Sequence, residues 1–457
     1  MSALALAERA LSCVRAGDGA LATVAAERSL LLRFARSRPT QATAVDDATM
    51  SITVLWDGHV GSAATNREDE ESLTACARAA EAAAESAART RGSGPYPGFP
   101  SAAPVKPHDG FDAATAELDP AVGGRALASA FDVGAAHGVE AHGVWSVGDV
   151  ETALATTTGT AVVDRVSDAF MKTTCIASDG RSGWANRTSV RVGDLDPTAV
   201  AEAAATRATG AFAKRRDLVK LEPGDYRVVL APAAIAEMLD WLALGAFNGL
   251  AHAEGRGALV GRIGTRVAAA SINLSDSPRY PRTLPRAFDA EGVAKAPLPL
   301  IQDGVAINVA HDTRSAALID GATSTGHALS AGGSSWGAMP TNMVVVGGGA
   351  SDETELCAPI ERGVYVTRLW YTNAIRPNET LITGVTRDGT FLIEDGEIAA
   401  PLEDLRLTDS VLRVLERTEA LTGDHVLWSE GEFYGRRFAR GTVAPAVRST
   451  LRFSGGA

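Results

Sequence analysis

The sequence predicts an α+β protein, in which an N-terminal α/β region with two repeated strand–turn–helix units precedes a mainly antiparallel β domain containing one long helix. Two observations indicate this fold class. The first half repeats the same order of apolar strands, tight turn and alanine-rich helix. The second half contains one long amphipathic helix and then short apolar runs separated by turn-forming residues, which is the pattern of strands joined by hairpins.

The repeat occupies residues 20–90 and 135–212 of the 457-residue chain. In each copy an Asp-Gly pair, at positions 57–58 and 179–180, separates runs of alternating apolar residues. Asp-Gly in this setting is the strongest short signal of a β-hairpin, because both residue types tolerate the positive φ angles of a tight turn. We therefore expect the two copies to adopt the same arrangement and to pack as a pair.

Two helices and a linker complete the N-terminal region. A Gly-x-Ala sequence follows each turn, at residues 61–63 and 183–185, and an alanine-rich helix comes after it. The second helix is expected to begin at Asp196-Pro197, since aspartate caps helices and proline is accepted in their first turn. Segment 91–110 is rich in proline and glycine, which indicates a linker between the copies. The predicted domains are residues 1–110, 111–221 and 222–457.

The second half begins with a strand and then the long helix. Apolar residues from Ile235 through Leu242 to Leu250 recur at the spacing of one helical face. Short apolar runs follow as far as the C-terminus, and two further Asp-Gly pairs lie between them. Hairpin turns of this kind join neighbouring antiparallel strands, so this half is expected to form the β-rich domain.

The net charge indicates which partners the protein can bind, and the spacing of its cysteines indicates its cellular compartment. The formal net charge is −12, which argues against nucleic acid, because phosphate binding needs clustered lysine and arginine. The four cysteines are scattered without a CxxC pair, as expected for free thiols in a reducing compartment. The N-terminus lacks the apolar core of a signal peptide, and no apolar stretch is long enough to span a membrane. We expect a cytoplasmic protein that binds neither nucleic acid nor membrane.

Four stretches of the second half occur in a distinctive order. They are STGHA at 324–328, PTNMVVVGGG at 340–349, a long run from GVYVTRLW to DLRLT at 363–408, and APAVRSTLRFSG at 444–455. In this order and spacing they resemble the TldD/TldE (PmbA) family, and the two-copy first half resembles that family's N-terminal and central regions. The resemblance implies an α/β-plus-β subunit that pairs as a heterodimer and acts as a peptidase on peptides or unfolded segments threaded into its interior.

The same resemblance implies where a zinc site would lie. In the family one partner carries zinc on an HExxxH helix and a C-terminal cysteine, and the other partner lacks it. Counting back from the matching strand start at 259–268 puts Asp240 and Gly245 at the histidine positions and Trp241 at the glutamate. Tyr434 takes the place of the cysteine. Zinc needs several N, S or O donors around one point, so the resemblance implies a TldE/PmbA-like chain without zinc of its own.

A partner and a substrate site follow from the resemblance. The implied partner is an HExxxH-bearing, TldD-like paralogue that supplies the zinc, and the implied substrate is an extended peptide or unfolded protein. An extended peptide can bind as an additional strand at the edge of a sheet, and small residues there leave room for its backbone. We expect this edge around STGHA and PTNMVVV. We assign no catalytic residue to this chain. The candidate substrate-binding residues are Ser324, Gly326, His327, Thr341 and Asn342.

Two other functions stay open at this point. One is a stand-alone or homodimeric hydrolase or binding protein that acts on a small peptide-like or natural-product substrate. The other is a plain scaffold. A neighbouring gene that encodes an HExxxH-bearing paralogue would favour the heterodimer over both. The sequence is equally compatible with protein degradation, with maturation of a precursor peptide and with trimming of a small metabolite.

Overall fold

The N-terminal half forms one sheet with helices on one of its faces. The structure, a computed structural model, describes residues 1–90, 95–431 and 435–456. The elements of this half are α1 (Ala3–Ser12), β1 (Gly19–Ala35), β2 (Arg38–Trp56), β3 (His59–Thr65), α2 (Glu70–Thr90), α3 (Ala113–Ala116), α4 (Pro120–His137), β4 (Glu140–Thr156), β5 (Ala161–Ile176), β6 (Ser182–Ser189) and α5 (Pro197–Thr209), with a 3₁₀ turn at Val192–Asp194.

The two repeat copies share a single six-stranded antiparallel sheet, in the order β3-β2-β1-β4-β5-β6. The copies meet at β1 and β4, whose register runs from Leu21 opposite Thr156 to Phe34 opposite Gly143. Each copy contributes three strands and the helix that follows them, so the predicted pair of strand–turn–helix units is confirmed. The helices cover one face of the sheet, and the second half of the chain covers part of the other.

The glycine that follows each hairpin permits close contact between strand and helix. A Cβ atom on Gly61 would lie 2.1 Å from the backbone nitrogen of Ala84 in α2. A Cβ atom on Gly183 would lie 2.2 Å from the carbonyl oxygen of Ala204 in α5. Both contacts are with helix backbone, which cannot move aside as a flexible side chain can. The repeated Gly-x-Ala sequence therefore marks the same packing contact in both copies.

The C-terminal half consists mainly of strands. Its elements are β7 (Gly224–Leu230), α6 (Pro232–Gly245), α7 (Gly249–Ala253), β8 (Asn273–Asp276), β9 (Leu298–Gln302), β10 (Val305–Ala306), α8 (Thr313–Ala316), β11 (Met343–Val346), α9 (Glu353–Cys357), β12 (Arg362–Val366), β13 (Leu369–Arg376), β14 (Leu381–Thr386), β15 (Thr390–Glu394), β16 (Glu397–Pro401), β17 (Leu405–Ser410), α10 (Val411–Glu416), β18 (Ala420–Leu421), β19 (Val426–Trp428), β20 (Thr442–Ala444) and β21 (Val447–Gly456), with a 3₁₀ turn at Pro377–Glu379.

These strands form a nine-stranded and a six-stranded sheet, and α6 packs in the core that they share. Most neighbouring strands are antiparallel, as predicted, while β7 with β12 and β11 with β20 are parallel pairs. The buried residues Ile235, Leu239 and Leu242 of α6 belong to the same cluster as Val228 of β7 and Val345 of β11. Within the described residues, no helix combines the length and apolar character needed to cross a membrane.

The predicted long helix is divided in two. It ends at Gly245, and α7 begins anew because the side chain of Asn248 accepts a hydrogen bond from the backbone N–H of Ala251 at 3.0 Å. A residue that caps a new helix in this way interrupts the preceding one. The predicted domain boundaries at residues 110 and 221 stay predictions.

The helix–strand contacts lead to a stability prediction. Gly61→Ala and Gly183→Ala should each lower the free energy of unfolding by about 1–3 kcal/mol, because the added methyl group overpacks against helix backbone. Gly124→Ala in α4 is the matched control, since no atom lies within 4 Å of the added Cβ. It should raise the free energy of unfolding by about 0.5–1 kcal/mol. Urea unfolding followed by circular dichroism measures all three, and equal effects at the three positions would contradict this account.

Candidate functional site

A cleft of about 330 Å³ lies between the N-terminal sheet and loops of the C-terminal half. One wall is the face of the sheet that carries no helices, and it presents hydroxyl groups from β1 to β4. The other wall consists of Arg286 and residues 288–290, 326–331 and 436–438, together with Lys295 and Thr341. The hydroxyl-bearing residues of the sheet wall are Thr23, Ser51, Thr53, Ser62 and Thr152.

The buried carboxylate of Asp276, at the end of β8, organises the loop wall. Its Oδ2 accepts hydrogen bonds from the backbone N–H groups of Thr341 at 2.7 Å and Asn342 at 2.8 Å. Its Oδ1 lies 3.6 Å from Lys295 Nζ and 3.2 Å from His327 Nε2. The two motifs that contain His327 and Asn342 are distant in sequence, and Asp276 brings them together.

Burial and charge fix the ionisation of this cluster. Burial alone would raise the pKa of Asp276, but the nearby Lys295 and His327 outweigh it and hold that pKa well below its usual range. Burial lowers the pKa of His327, and the charge of Lys295 lowers it further, so the ring is neutral at pH 7. Lys295 is therefore the positive charge that balances Asp276, and its ammonium also donates to the carbonyl oxygen of Gly326 at 3.1 Å.

The five candidate substrate-binding residues differ in their access to the cleft. Gly326, His327 and Thr341 line it. Asn342 is buried, and its amide donates to the carbonyl oxygen of Leu284 at 2.5 Å. The Ser324 hydroxyl donates to the carbonyl oxygen of His311 at 3.4 Å. These last two side chains have internal partners. Contact of any of the five with a substrate stays a prediction.

The expected free sheet edge at PTNMVVV is not present. Strand β11 pairs with β8 on one side and with β20 on the other, in the interior of the six-stranded sheet. The backbone N–H groups of Thr341 and Asn342, which precede the strand, are bound by Asp276. The sequence pattern identified a strand but could not show that both of its edges are occupied.

The positions implied for a zinc site lie at a second cavity, of about 440 Å³. Asp240 and Trp241 of α6 line it. Asp240 Oδ1 accepts from the Thr442 hydroxyl at 3.1 Å, and Oδ2 lies 3.2 Å from Arg440 Nη1. Gly245 ends the helix, where a Cβ atom would lie 2.8 Å from the carbonyl oxygen of Pro377. Tyr434 lies outside the described residues.

These residues do not fit a zinc ion. Of the three described positions, only Asp240 has a side chain that is a good zinc ligand, and both of its oxygens already have protein partners. The Trp241 indole donates its Nε1–H to the Thr372 hydroxyl at 2.8 Å, and it has no lone pair to give a metal. Across the described ranges, no three side chains of histidine, cysteine, aspartate or glutamate come together in a way that could hold a metal ion.

Aromatic side chains and one unusual carboxyl group characterise the second cavity. Four of the seven tryptophans line it, and the guanidinium of Arg368 lies 4.6 Å from the ring centre of Trp184 and 4.7 Å from that of Trp370. Burial raises the pKa of Glu237 to about 7, although the Thr372 hydroxyl, which donates to it at 2.6 Å, acts in the opposite direction. Glu237 can therefore exchange a proton near neutral pH.

A buried arginine joins the two halves beside the first cleft. Arg437 Nε and Nη2 each lie 2.7 Å from one carboxylate oxygen of Asp168 in β5, and Nη1 donates to the Ser146 hydroxyl at 3.0 Å. The backbone N–H of Arg437 donates to Glu27 at 2.7 Å. A Cβ atom on Gly148 would lie 2.7 Å from the Arg437 side chain, so only glycine leaves room for it.

The sequence reasoning missed most of the charged residues at these sites. Asp276, Glu237 and Asp168 lie in segments without any spacing that indicates a site. One signal was available for Lys295, which is a single charge within the apolar run GVAKAPLPL. A lysine in such a run needs a buried partner, although the run does not identify Asp276 as that partner.

Comparison with solved structures identifies the fold. TldE from Thermococcus kodakarensis has the same fold, with a TM-score of 0.83, 18% sequence identity and 98% of each chain covered. A protein of known structure from Thermotoga maritima has a TM-score of 0.81 at 19% identity, covering 95% of this chain and 96% of the other. The chain thus has the fold of TldE-like proteins along nearly its whole length.

Sequence comparison identifies the family. Residues 24–84 match domain 1 of the PmbA/TldA metallopeptidases, residues 111–212 match the central domain, and residues 223–455 match the C-terminal domain. The chain belongs to the PmbA/TldD family. A metalloprotease from Methanothermobacter thermautotrophicus is 28% identical over 171 residues, and this match covers 37% of each protein.

The Asp276 cluster leads to a second stability prediction. Asp276→Asn leaves the buried ammonium of Lys295 without its counter-charge and should lower the free energy of unfolding by about 3–5 kcal/mol. The double variant Asp276→Asn, Lys295→Met removes both charges, so it should be more stable than Asp276→Asn alone. Urea unfolding at pH 7 measures both variants, and a double variant less stable than the single one would contradict the pairing.

The same cluster has a defined pH dependence. The folded pKa of Asp276 lies below its unfolded value of about 4. Its contribution to stability is therefore complete above that pH and is lost as the pH falls towards the folded pKa. The stability difference between the wild type and Asp276→Asn should be constant from pH 8 to about pH 5 and shrink below about pH 4.

Proposed function

We propose that this chain is a TldE/PmbA-like subunit of a TldD/TldE-type, zinc-dependent peptidase complex, and that it does not hydrolyse peptides by itself. The observation that carries the proposal is the state of Asp240, whose carboxylate is bound by Arg440 and Thr442 where the family's zinc-bearing partner has a histidine. Trp241 and Gly245, at the other two described positions, have no side-chain atom that can bind a metal. In this proposal the zinc belongs to an HExxxH-bearing paralogue.

The role proposed for this chain is to bind an extended peptide or unfolded segment and complete the partner's active site. The cleft between the halves supports this role, because its sheet wall presents hydroxyl groups that can bind peptide N–H and C=O groups. Gly326 in the opposite wall has a φ of +77°, and a Cβ atom there would lie 2.8 Å from the carbonyl oxygen of Ala294, so the shape of this wall depends on glycine. A cytoplasmic location is part of the proposal and is consistent with the four free cysteines.

A mixing experiment tests the proposal. This chain and an HExxxH-bearing paralogue from the same organism are assayed, separately and together, for cleavage of short peptides and a denatured protein. We expect cleavage only in the mixture and inhibition of that cleavage by a chelator. Co-expression should give one stable hetero-oligomer that buries well over roughly 1,000 Å² in its interface.

Metal analysis supplies the control. The purified chain alone should carry no stoichiometric zinc after dialysis against a weak chelator, whereas the paralogue should retain it. Close to one zinc per chain in this protein, or robust chelator-resistant hydrolysis by this chain alone, would overturn the proposal.

One observation favours the second candidate, a stand-alone or homodimeric hydrolase for a small peptide-like substrate. Glu237 has a pKa of about 7 and lines a cavity large enough for a small molecule. A carboxylate whose pKa is close to the working pH can act as a general base. A Glu237-dependent reaction should accelerate as the pH rises through about 7, because the base acts in its ionised form. Activity of the chain alone that Glu237→Gln abolishes would establish this candidate, and activity that survives the substitution would exclude it.

A further inference from the structure

Two arginines at the first cleft have no ion-pair partner within the described part of the chain. Arg286 and Arg436 both line the cleft, and no carboxylate oxygen of the described residues lies within the 4.0 Å of an ion pair with either side chain. The Nε of Arg286 is enclosed and has no hydrogen-bond partner in the described part of the chain. Its guanidinium rests over the ring of Phe438 at 3.9 Å, and Nη2 donates to the carbonyl oxygen of Ala439 at 3.3 Å.

The carboxylates around these arginines already have partners. Asp164 accepts from the Ala287 backbone N–H at 2.9 Å and lies 2.7 Å from His108 Nε2. Asp168 is bound by Arg437 through both of its oxygens. Glu27 accepts from the backbone of Arg437 and from the Ser29 hydroxyl. Among the described residues, the two guanidinium groups therefore have nearby carboxylates but no carboxylate in direct contact.

The two guanidinium groups repel each other, and an anion bound by both offsets that repulsion. Burial lowers the pKa of Arg286 to about 10; the charges of Asp164 and Asp168 oppose this shift, and the charge of Arg436 adds to it. Like charges held near each other disfavour their charged forms, and a bound anion reverses that effect. Guanidinium groups also match carboxylate geometry, since two parallel N–H groups can bind both oxygens.

We propose that Arg286 and Arg436 bind the free C-terminal carboxylate of an extended peptide, an inference that rests on the peptide-binding function proposed above. The cleft, at about 330 Å³, is near the lower end of small-ligand sites and suits the end of a chain. Asp164 and Asp289 also line the cleft, which disfavours a dianion such as phosphate relative to a singly charged carboxylate. The hydroxyl groups of the sheet wall can bind the preceding backbone.

A binding experiment on this chain alone tests the inference. The probes are two short peptides of small uncharged residues with an N-terminal fluorophore, one with a free C-terminal acid and the other with a C-terminal amide. Fluorescence anisotropy should show tighter binding of the acid. Arg436→Gln should weaken binding of the acid by roughly 10- to 100-fold, as expected for loss of a charge-assisted hydrogen bond, with little effect on the amide.

Arg262→Gln is the matched control. Arg262 is exposed, does not line the cleft, and its loss changes the net charge equally. It should leave the preference for the acid unchanged, and both variants should retain the wild-type midpoint of thermal unfolding. Equal binding of acid and amide, binding of neither peptide, or an equal loss in both variants would overturn the inference.

Competition separates the peptide carboxylate from a free anion. Inorganic phosphate should displace the acid peptide only at concentrations far above that of a competing unlabelled peptide. Displacement at equal concentrations would overturn the assignment to a peptide terminus. The binding is measured without the partner, so a preference for the acid together with an inactive mixture would refute the proposed function and leave this inference standing.

Discussion

The buried ion pair between Arg437 and Asp168 anchors the segment 436–440 of the C-terminal half to the N-terminal sheet. Taking both charges out of water is costly unless each is saturated with hydrogen bonds. The bidentate contact, the Ser146 hydroxyl and the absence of a side chain at Gly148 meet that requirement. This pair holds one short segment against the sheet. The fold therefore fixes the position of this part of the loop wall of the first cleft. The guanidinium of Arg436, which has no ion-pair partner in the ranges that the structure describes, is held at the cleft for the same reason.

That segment, residues 436–440, also connects the two cavities. Its first three residues line the cleft between the halves, and Arg440 lines the cavity beside α6. The electrostatics of the two cavities differ. In the first, Arg286 and Arg436 have no ion-pair partner among the described residues, whereas in the second Arg440 is balanced by Asp240 and the burial of Glu237 favours its protonated form. The first cavity is thus suited to an anion and the second to proton exchange.

Local features of the structure were readable from the sequence, and long-range ones were not. The Asp-Gly turns and the repeated Gly-x-Ala predicted the paired units because each signal acts within a few residues. The division of the helix at Asn248 was missed, since an apolar stripe continues across the cap. The partners of Asp168 and Asp276 come from other strands and loops, and no spacing in the chain encodes such pairs. The family resemblance located Asp240 and Trp241, but it could not show that Arg440 and Thr442 occupy the oxygens of Asp240.

The pairing of β1 with β4 has a consequence for how the chain folds. Phe34 pairs with Gly143, so the ladder at the centre of the sheet closes a long loop that contains β2, β3 and the helices α2, α3 and α4. Closing such a loop costs conformational entropy before its contacts form, and proteins dominated by distant contacts fold slowly. Until the second copy has been synthesised, β1 has one unpaired edge. During translation the nascent first copy therefore exposes a strand edge that is prone to association with other chains.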